Sequence, residues 1–292
     1  MPEAVADQSP LIKAGQRRWT LRGFTLREWL AGALLVVLVG GAMLGPGLSG
    51  HDPQAMNFEA LEQAPSGLHW FGTDPVGRDL FTRTMAGGRV SFSIALLAVS
   101  VSLVIGVPWG AIAGLVGGRL DQIMMRIVDG MYALPGIIIV ILLVVVFGRN
   151  PYLLFMALGA ISWLTLARIV RGETLRLRNA PFIVAARGLG AGNLHIVLRH
   201  VIPNVAGPII VYATLAVPGM ILAESFISFL GLGIAEPETS WGVLVADGTQ
   251  TMESSPWLLI FPGGCLAATV WCLNTLGDRL RDRLAPDGGG LG

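Results

Sequence analysis

Six long apolar stretches constrain this 292-residue chain more than any other feature of its sequence. A helix that crosses a lipid bilayer needs about 20 mainly apolar residues. The stretches cover residues 29–49, 91–117, 123–148, 152–170, 205–232 and 257–277. None of them shows the strict ten-residue alternation that is typical of barrel strands. The sequence therefore predicts an all-α polytopic membrane protein with six transmembrane helices.

Composition excludes several other classes of protein. Charged residues make up 13% of the chain, against about 25% in an ordinary soluble domain. The net charge is +1 and no lysine follows Lys13, so nucleic acid is not a predicted partner. The two cysteines, Cys265 and Cys272, lie seven positions apart in the last apolar stretch. We interpret them as helix-packing residues, because two thiols alone do not build a metal site.

The distribution of arginine predicts the orientation of the helices, since Lys and Arg accumulate in cytoplasmic loops. The loop at 171–204 is rich in arginine, whereas the loop at 233–256 has four acidic residues and no Lys or Arg. Both termini are therefore predicted to be cytoplasmic, and no cleavable signal peptide is expected. The predicted parts are a cytoplasmic segment 1–28, an anchor helix 29–49, an extracytoplasmic segment 50–90, a five-helix core 91–277 that contains the loop 171–204, and a cytoplasmic tail 278–292.

A short helix is predicted inside the loop 171–204. Pro181 suits a first helical position, and Gly190 with Gly192 would end the helix. Four apolar residues with the spacing i, i+3, i+4, i+7 would share one face: Phe182, Ala185, Ala186 and Leu189. Such a face either docks into a groove on another protein or folds back on its own bundle.

A charged motif is predicted on the opposite side of the membrane. Asp74 precedes Pro75, a pair that favours the start of a helix. Arg78, Asp79 and Arg83 alternate with apolar residues, a pattern that predicts an amphipathic helix at the membrane surface. These charges either cap and anchor that helix or contact substrate.

An ionisable residue inside the fifth apolar stretch is a further candidate. Glu224 would cost a few kcal/mol in lipid unless it faces protein or water, so with Ser225 and Ser228 it is a candidate for the pathway or for helix packing. Asp129 is predicted to form an interfacial pair near Arg126. The four histidines divide equally between the two predicted sides, so no metal site is expected.

Recognisable catalytic machinery is missing from the sequence. It has no G-x-x-x-x-G-K-[ST] loop to hold nucleotide phosphates. It also has no Ser, His and Asp set or paired aspartates at matching membrane depth. We predict no catalytic residues, no resident metal and no cofactor, so that any energy for transport comes from other chains.

Four motifs resemble one family of membrane proteins. Val184-Ala-Ala with Gly190 and Ile202-Pro203-Asn204 resembles the Glu-Ala-Ala coupling loop of ABC importer permeases, although Val184 stands where that family has Glu. The string from Gly72 to Asp79 resembles the Gly-Thr-Asp-x-x-Gly-Arg-Asp signature of the dipeptide, oligopeptide and nickel permeases. Its matching residues are Gly72, Thr73, Asp74, Gly77, Arg78 and Asp79. The segment from Ala223 to Gly242 and the C-terminal segment from Asn274 to Pro286 are also similar to that family, with Ala285 in place of its Asp.

The resemblance implies a "C"-type second permease with the type I ABC importer fold, also called MetI-like. It implies a prokaryotic plasma (inner) membrane location, a homologous second permease, two ATPase subunits that hold ATP and Mg²⁺, and an extracytoplasmic substrate-binding protein. Besides its permease partners the chain would contact membrane lipid. The implied ATPase-coupling residues are Phe182, Val184, Ala185, Ala186, Arg187, Leu189 and Gly190. Peptides are the first expected cargo, with nickel, haem or glutathione as alternatives. An ion-coupled secondary transporter and a scaffold without cargo are the competing classes.

Overall fold

The computed structural model describes residues 25–148 and 150–284, and this part of the chain folds into ten α-helices. The predicted segments 1–28 and 278–292 lie partly outside the described residues. The helices are α1 (Leu26–Leu48), α2 (Leu80–Val116), α3 (Gly118–Tyr132), α4 (Gly136–Phe147), α5 (Pro151–Leu177), α6 (Pro181–Gly188), α7 (Asn193–Ile196), α8 (Ile202–Ile227), α9 (Trp241–Gln250) and α10 (Trp257–Leu284). Two π-helical turns, Val197–Val201 and Ser228–Leu232, flank α8.

Six membrane spans are present if a bent pair is counted as one. Five helical stretches of the described chain are long and apolar enough to cross a bilayer. They are Leu26–Leu48, Leu80–Val116, Tyr152–Leu177, Asn193–Leu232 and Trp257–Leu284. Helices α3 and α4 qualify together, although they meet at 73°. The all-α prediction with six spans is thus confirmed.

The prediction of one continuous third helix over 123–148 is wrong. Pro135 stands at the break between α3 and α4, with an extended backbone at ψ 111°. Proline has no N–H to donate to the preceding turn, and it disfavours the α conformation of the residue before it. The third span is therefore two helices joined at an angle.

The predicted helix start at Asp74 is also wrong. Helix α2 begins at Leu80, and its N-cap is Asp79, whose carboxylate accepts the backbone N–H of Thr82 at 2.8 Å. Asp74 instead accepts the backbone N–H groups of Val76 and Arg78 in a turn that Gly77 continues at φ +78°. A positive φ interrupts a right-handed helix, so the helix starts five residues later than predicted.

Helices α2 and α5 form the centre of the bundle through a row of glycines. Gly106, Gly110 and Gly114 follow each other at four-residue spacing on α2. A Cβ atom at Gly110 would lie 2.3 Å from the Ala167 carbonyl oxygen, and one at Gly114 would lie 2.7 Å from Cβ of Thr174. Small residues at this spacing let two membrane helices approach closely. The closely packed pair of α2 and α5 runs through the centre of the bundle.

Candidate functional site

Residues 72–79, which we call the signature segment, form a compact buried turn at the start of α2. The Arg78 Nε donates to the Asp74 carboxylate at 2.6 Å, and both side chains are buried. The Thr73 hydroxyl donates to the Ala60 carbonyl at 2.5 Å. A Cβ atom at Gly77 would lie only 1.8 Å from the carbonyl oxygen of Asn57. The segment is therefore locked against residues 57–63, and its glycine is required by space as well as by φ.

Arg78 extends the ionic contacts to a distant part of the chain. Its Nη1 and Nη2 atoms both donate to Glu236 Oε1 at 3.1 Å. Burial would lower the pKa of Arg78, but hydrogen bonds and charge from Asp74 and Glu236 outweigh burial and raise the pKa. Arg83 is 1% exposed, and its Nε lies 3.5 Å from the same Asp74 carboxylate. Together these side chains border a cavity of about 230 Å³ beside Asp247.

The predicted surface helix at this place is wrong, because its charges point into the protein. Asp79 and Arg83 are both buried, and the Asp79 carboxylate also accepts a hydrogen bond from His69 Nδ1 at 3.0 Å. The sequence pattern indicated an amphipathic surface helix, because it contains no information about residues 49–71, which pack over the segment. The structure brings all six signature residues together and gives their charges partners within the chain.

Glu224 lies in a second buried polar cluster, between α2, α8 and α9. Its two carboxylate oxygens accept hydrogen bonds from Ser228 at 2.7 Å and from Ser91 at 3.1 Å. The Ser91 hydroxyl in turn accepts the backbone N–H of Trp241 at 3.2 Å. Glu224 is fully buried, and Ser225 and Ser228 are buried beside it. The geometry joins three helices, which favours the packing alternative over the pathway alternative.

An apolar cleft of about 850 Å³ opens between α4, α5 and α8. Sequence reasoning missed it, because a cleft depends on how three helices are arranged in space. Its few polar groups include Ser162, Thr165 and Tyr212, and the Tyr212 hydroxyl donates to the Ser162 carbonyl at 2.8 Å. Glu173 and Arg281 border it. The cleft is wide enough for a small organic molecule.

Two arginines on α5 pair with carboxylates on α3. Arg171 makes a bidentate contact with Asp121, at 2.5 and 2.7 Å. Arg168 donates to Asp129 at 2.7 Å and lies over the Tyr132 ring, 4.1 Å from its centroid. The predicted partner of Asp129 was Arg126, and the structure gives it Arg168 instead. The sequence placed Asp129 correctly near a helix end, but the partner comes from another helix.

Helix α6 carries the predicted ATPase-coupling residues, and it is held by one side chain that sequence reasoning missed. Ile183 is fully buried in a cluster with Leu115, Ile196 and Val201. Arg187 adds a hydrogen bond from Nη2 to the Leu115 carbonyl at 3.1 Å. Helix α6 starts at Pro181 and ends at Gly188, close to the predicted limits. The contact with Leu115 places α6 at the C-terminal end of α2, far from the signature segment.

The other face of α6 is largely exposed within the described chain, although the Phe182 ring lies 6.3 Å from the His200 ring between centroids. Phe182 is 41% exposed and Leu189 is 89% exposed, and Val184 and Ala185 are exposed as well. Ala186 is half-buried, and Gly190 turns the chain at φ +85°. The backbone of α6 is therefore fixed by Ile183, while an apolar face points away from the bundle.

This combination of six spans, an apolar cleft between three helices and two buried polar clusters near the N-terminal end of α2 is typical of a polytopic membrane transport protein. Residues 106–287, more than half of the chain, match the family described as "Binding-protein-dependent transport system inner membrane component". The chain belongs to this family.

Similar proteins include several peptide permeases. The oligopeptide transport system permease protein OppC of Haemophilus influenzae is 51% identical over 79% of this chain and 75% of its own length. OppC of Escherichia coli strain K12 is 48% identical over 89% of this chain and 87% of its own length. The dipeptide transport system permease protein DppC of Bacillus subtilis is 43% identical over 87% of this chain and 79% of its own length.

A solved structure shares the fold. A chain of the MetNI methionine ABC transporter in an inward-facing conformation superposes with a TM-score of 0.56. The match covers 70% of this chain and 97% of that chain at 18% identity. The predicted type I importer permease fold is thereby confirmed.

Proposed function

We propose that this chain is one of two permease subunits of an ATP-driven importer, and that it forms half of a peptide pathway by alternating access. Two ATPase subunits would supply ATP hydrolysis, and a binding protein would deliver the cargo. The chain itself would move without catalysing a reaction. The proposal includes a plasma membrane location with both termini in the cytoplasm.

The observation that carries the proposal is the uncovered apolar face of α6. A short helix with exposed Phe182 and Leu189 is suited to dock into a groove on a partner protein. Because Ile183 anchors α6 in the core beside α2, force applied to α6 reaches the spanning helices as a rigid-body movement. Val184 keeps the docking face apolar at the position where the resembling family has Glu.

The distribution of charge supports the orientation. Arg176, Arg178, Arg187 and Arg199 flank or belong to α6 and α7. Glu236, Glu238, Asp247 and Glu253 lie in the connection between α8 and α10. Since Lys and Arg accumulate on the cytoplasmic side, α6 is assigned to the cytoplasm and α9 to the outside.

Peptides are the proposed cargo because the relatives OppC and DppC are oligopeptide and dipeptide transport permeases. The cleft between α4, α5 and α8 is the proposed wall of the pathway. Its surface is mostly apolar with a few hydroxyls, which suits side chains of varied chemistry. Glu224 is assigned to packing rather than to the pathway, because it is fully buried and bonded to Ser91 and Ser228.

The docking face is tested by replacing Phe182. Phe182→Asp places a charge on the apolar face, so we expect loss of the co-purifying ATPase in mild detergent and at least a tenfold loss of ATP-dependent peptide uptake. The matched control is Phe58→Asp, because Phe58 is 71% exposed in the segment between α1 and α2. The control should retain the ATPase. Normal ATPase recovery with Phe182→Asp would exclude the docking role.

The pathway is tested by filling the cleft. Gly219 borders the cleft, and a Cβ atom there would meet nothing within 4 Å, so the first side-chain atom of Gly219→Trp has room. We expect uptake to fall at least tenfold while ATPase binding stays intact. Gly264→Trp is the control, since Gly264 is equally exposed on α10. Equal uptake by the two variants would remove the cleft from the pathway.

The cargo and the energy source are determined separately, by measuring uptake into vesicles reconstituted with the complete importer. Labelled di- to pentapeptides should accumulate only with ATP, and Ni²⁺, haem or glutathione should not compete. Competition by one of these compounds would identify it as the cargo in place of peptides. Uptake driven by an ion gradient without ATP would establish the secondary-transporter alternative.

A further inference from the structure

Three chemically suited side chains meet in the segment between α1 and α2. One ring nitrogen of His51, one of His69 and a carboxylate oxygen of Asp79 all lie within 4.8 Å of one another. These residues come from three separate parts of the chain, since His51 follows the end of α1, His69 precedes the signature segment and Asp79 is the N-cap of α2. The prediction of no metal site rested on the equal division of the four histidines between the two predicted sides, and it did not consider a site formed by the two outer histidines with Asp79.

We propose that His51, His69 and Asp79 bind a divalent transition-metal ion, with Zn²⁺ as the best fit, which fastens the end of α1 to the start of α2. This ion would be a resident structural cation and not a cargo. Two imidazoles and a carboxylate are a ligand set that zinc takes in proteins, with bonds of about 2.0–2.2 Å. The inference does not depend on the proposed import function.

The spacing of the His69 and Asp79 ligand atoms suits zinc. Ligand atoms around a tetrahedral zinc ion stand about 3.3 Å apart, given those bond lengths. His69 Nδ1 and Asp79 Oδ1 are 3.0 Å apart, so an ion can replace the proton that they share, and the ring proton then resides on Nε2 of His69. The His51 and His69 rings lie 5.0 Å apart between centroids and are tilted by 31°. The three ligand atoms lie within 4.8 Å of one another, so the half-buried His51 ring has to move closer to the other two to complete the set.

The surroundings hold the ligands in suitable states. His51 Nε2 lies 3.2 Å from the Leu68 carbonyl oxygen, and the tautomer that donates this hydrogen bond has its free lone pair on Nδ1. Hydrogen bonds of this kind orient histidine ligands in metal sites. The second Asp79 oxygen accepts the backbone N–H of Thr82 at 2.8 Å. One carboxylate can therefore cap α2 and bind the ion at the same time.

Space and access are also present. A cavity of about 210 Å³ is bordered by Ser49, His51 and Asp79, among others. It leaves room for a water molecule as the fourth ligand. The ion would join the two ends of a loop of about thirty residues between α1 and α2. It would stabilise the folded chain, because the site exists in the folded state and not in the unfolded one.

The test is a zinc titration of the full-length chain in mild detergent. The chain is purified through a tag without histidine, stripped with EDTA and titrated by calorimetry. We expect one Zn²⁺ per chain with a micromolar or lower Kd and a higher unfolding temperature. His51→Gln should weaken binding at least tenfold and abolish the rise in unfolding temperature.

His195→Gln is the matched control, because His195 and His200 form another neighbouring pair, with ring centroids 5.9 Å apart, at the α6 end of the bundle. The control should bind zinc like the parent chain. If His69→Gln disturbs folding through the loss of its bond to Asp79, His51→Gln alone decides. The proposal is overturned if zinc does not saturate at one ion per chain, or if His51→Gln binds it as tightly as the parent. Neither result bears on ATPase docking, so failure here leaves the importer proposal standing.

Discussion

The signature segment and helix α6 are equally recognisable in the sequence, yet the structure treats them in opposite ways. The charges of residues 72–79 are turned inward and bonded to other parts of the same chain. The apolar face of α6 is turned outward and left uncovered. The signature segment therefore acts on the fold of this chain, whereas α6 is shaped for contact with another protein. Substitutions in the signature segment should therefore lower the stability of the chain, whereas substitutions on the exposed face of α6 should lower ATPase coupling.

The largest expected loss of stability comes from Gly77→Ala. The added Cβ atom would lie 1.8 Å from the Asn57 carbonyl oxygen at a φ of +78°, so both overpacking and backbone strain oppose it. We expect a loss of about 2–5 kcal/mol of unfolding free energy, measured by thermal unfolding in detergent.

Gly67→Ala is the control for Gly77→Ala. Gly67 lies in the same segment, and a Cβ atom there would meet nothing within 4 Å. Its unfolding temperature should stay near that of the parent chain. Similar values for the two alanine variants would show that the signature segment does not hold the fold, and the contrast with α6 would collapse.

An intermediate effect is expected for Glu224→Ala. The substitution leaves the Ser91 and Ser228 hydroxyls without their carboxylate partner in a buried place, which costs about 1–3 kcal/mol. Transport should fall with the amount of folded protein. Glu253→Ala is the control, because Glu253 is exposed in the connection before α10. A Glu224→Ala chain that is as stable as the control but fails to transport would return Glu224 to the pathway.

Local signals predicted α6 well and the signature segment poorly, for a physical reason. Pro181 and the glycines after α6 start and end the helix through their own backbone conformation, so the sequence alone was enough to locate it. Asp74 and Asp79 are both good N-caps, and the choice between them depends on contacts of Gly77 and Thr73 with residues 57–63. No local pattern contains those contacts. Pro135 is a local signal for a break, but the prediction of one helix over 123–148 followed the continuous apolar stretch instead.

Properties that arise between helices were beyond the sequence. The six spans followed from apolar length alone, and the glycines of α2 gave no hint of their neighbour on α5. The sequence did not predict the role of Ile183, because the helical spacing of apolar residues marks the opposite face of α6. A single buried residue produces no repeating pattern that could be recognised. The cleft between α4, α5 and α8 and the cluster of His51, His69 and Asp79 join residues that are distant in the chain.

The smallest effect should come from Glu236→Gln, and it sharpens the comparison within the signature segment itself. Arg78 has two carboxylate partners, of which Asp74 is buried while the Glu236 side chain is 64% exposed. Water already solvates Glu236, so losing its charge should cost under about 1 kcal/mol of unfolding free energy. Asp74→Asn is the comparison variant and should cost more, because Arg78 and Arg83 would then be buried without their shared counter-charge. Thermal unfolding of the two variants side by side measures the difference. If Glu236→Gln destabilised the chain as much as Asp74→Asn, the contact to the α9 region would be as important as the buried turn, and the fold of residues 72–79 would depend on both.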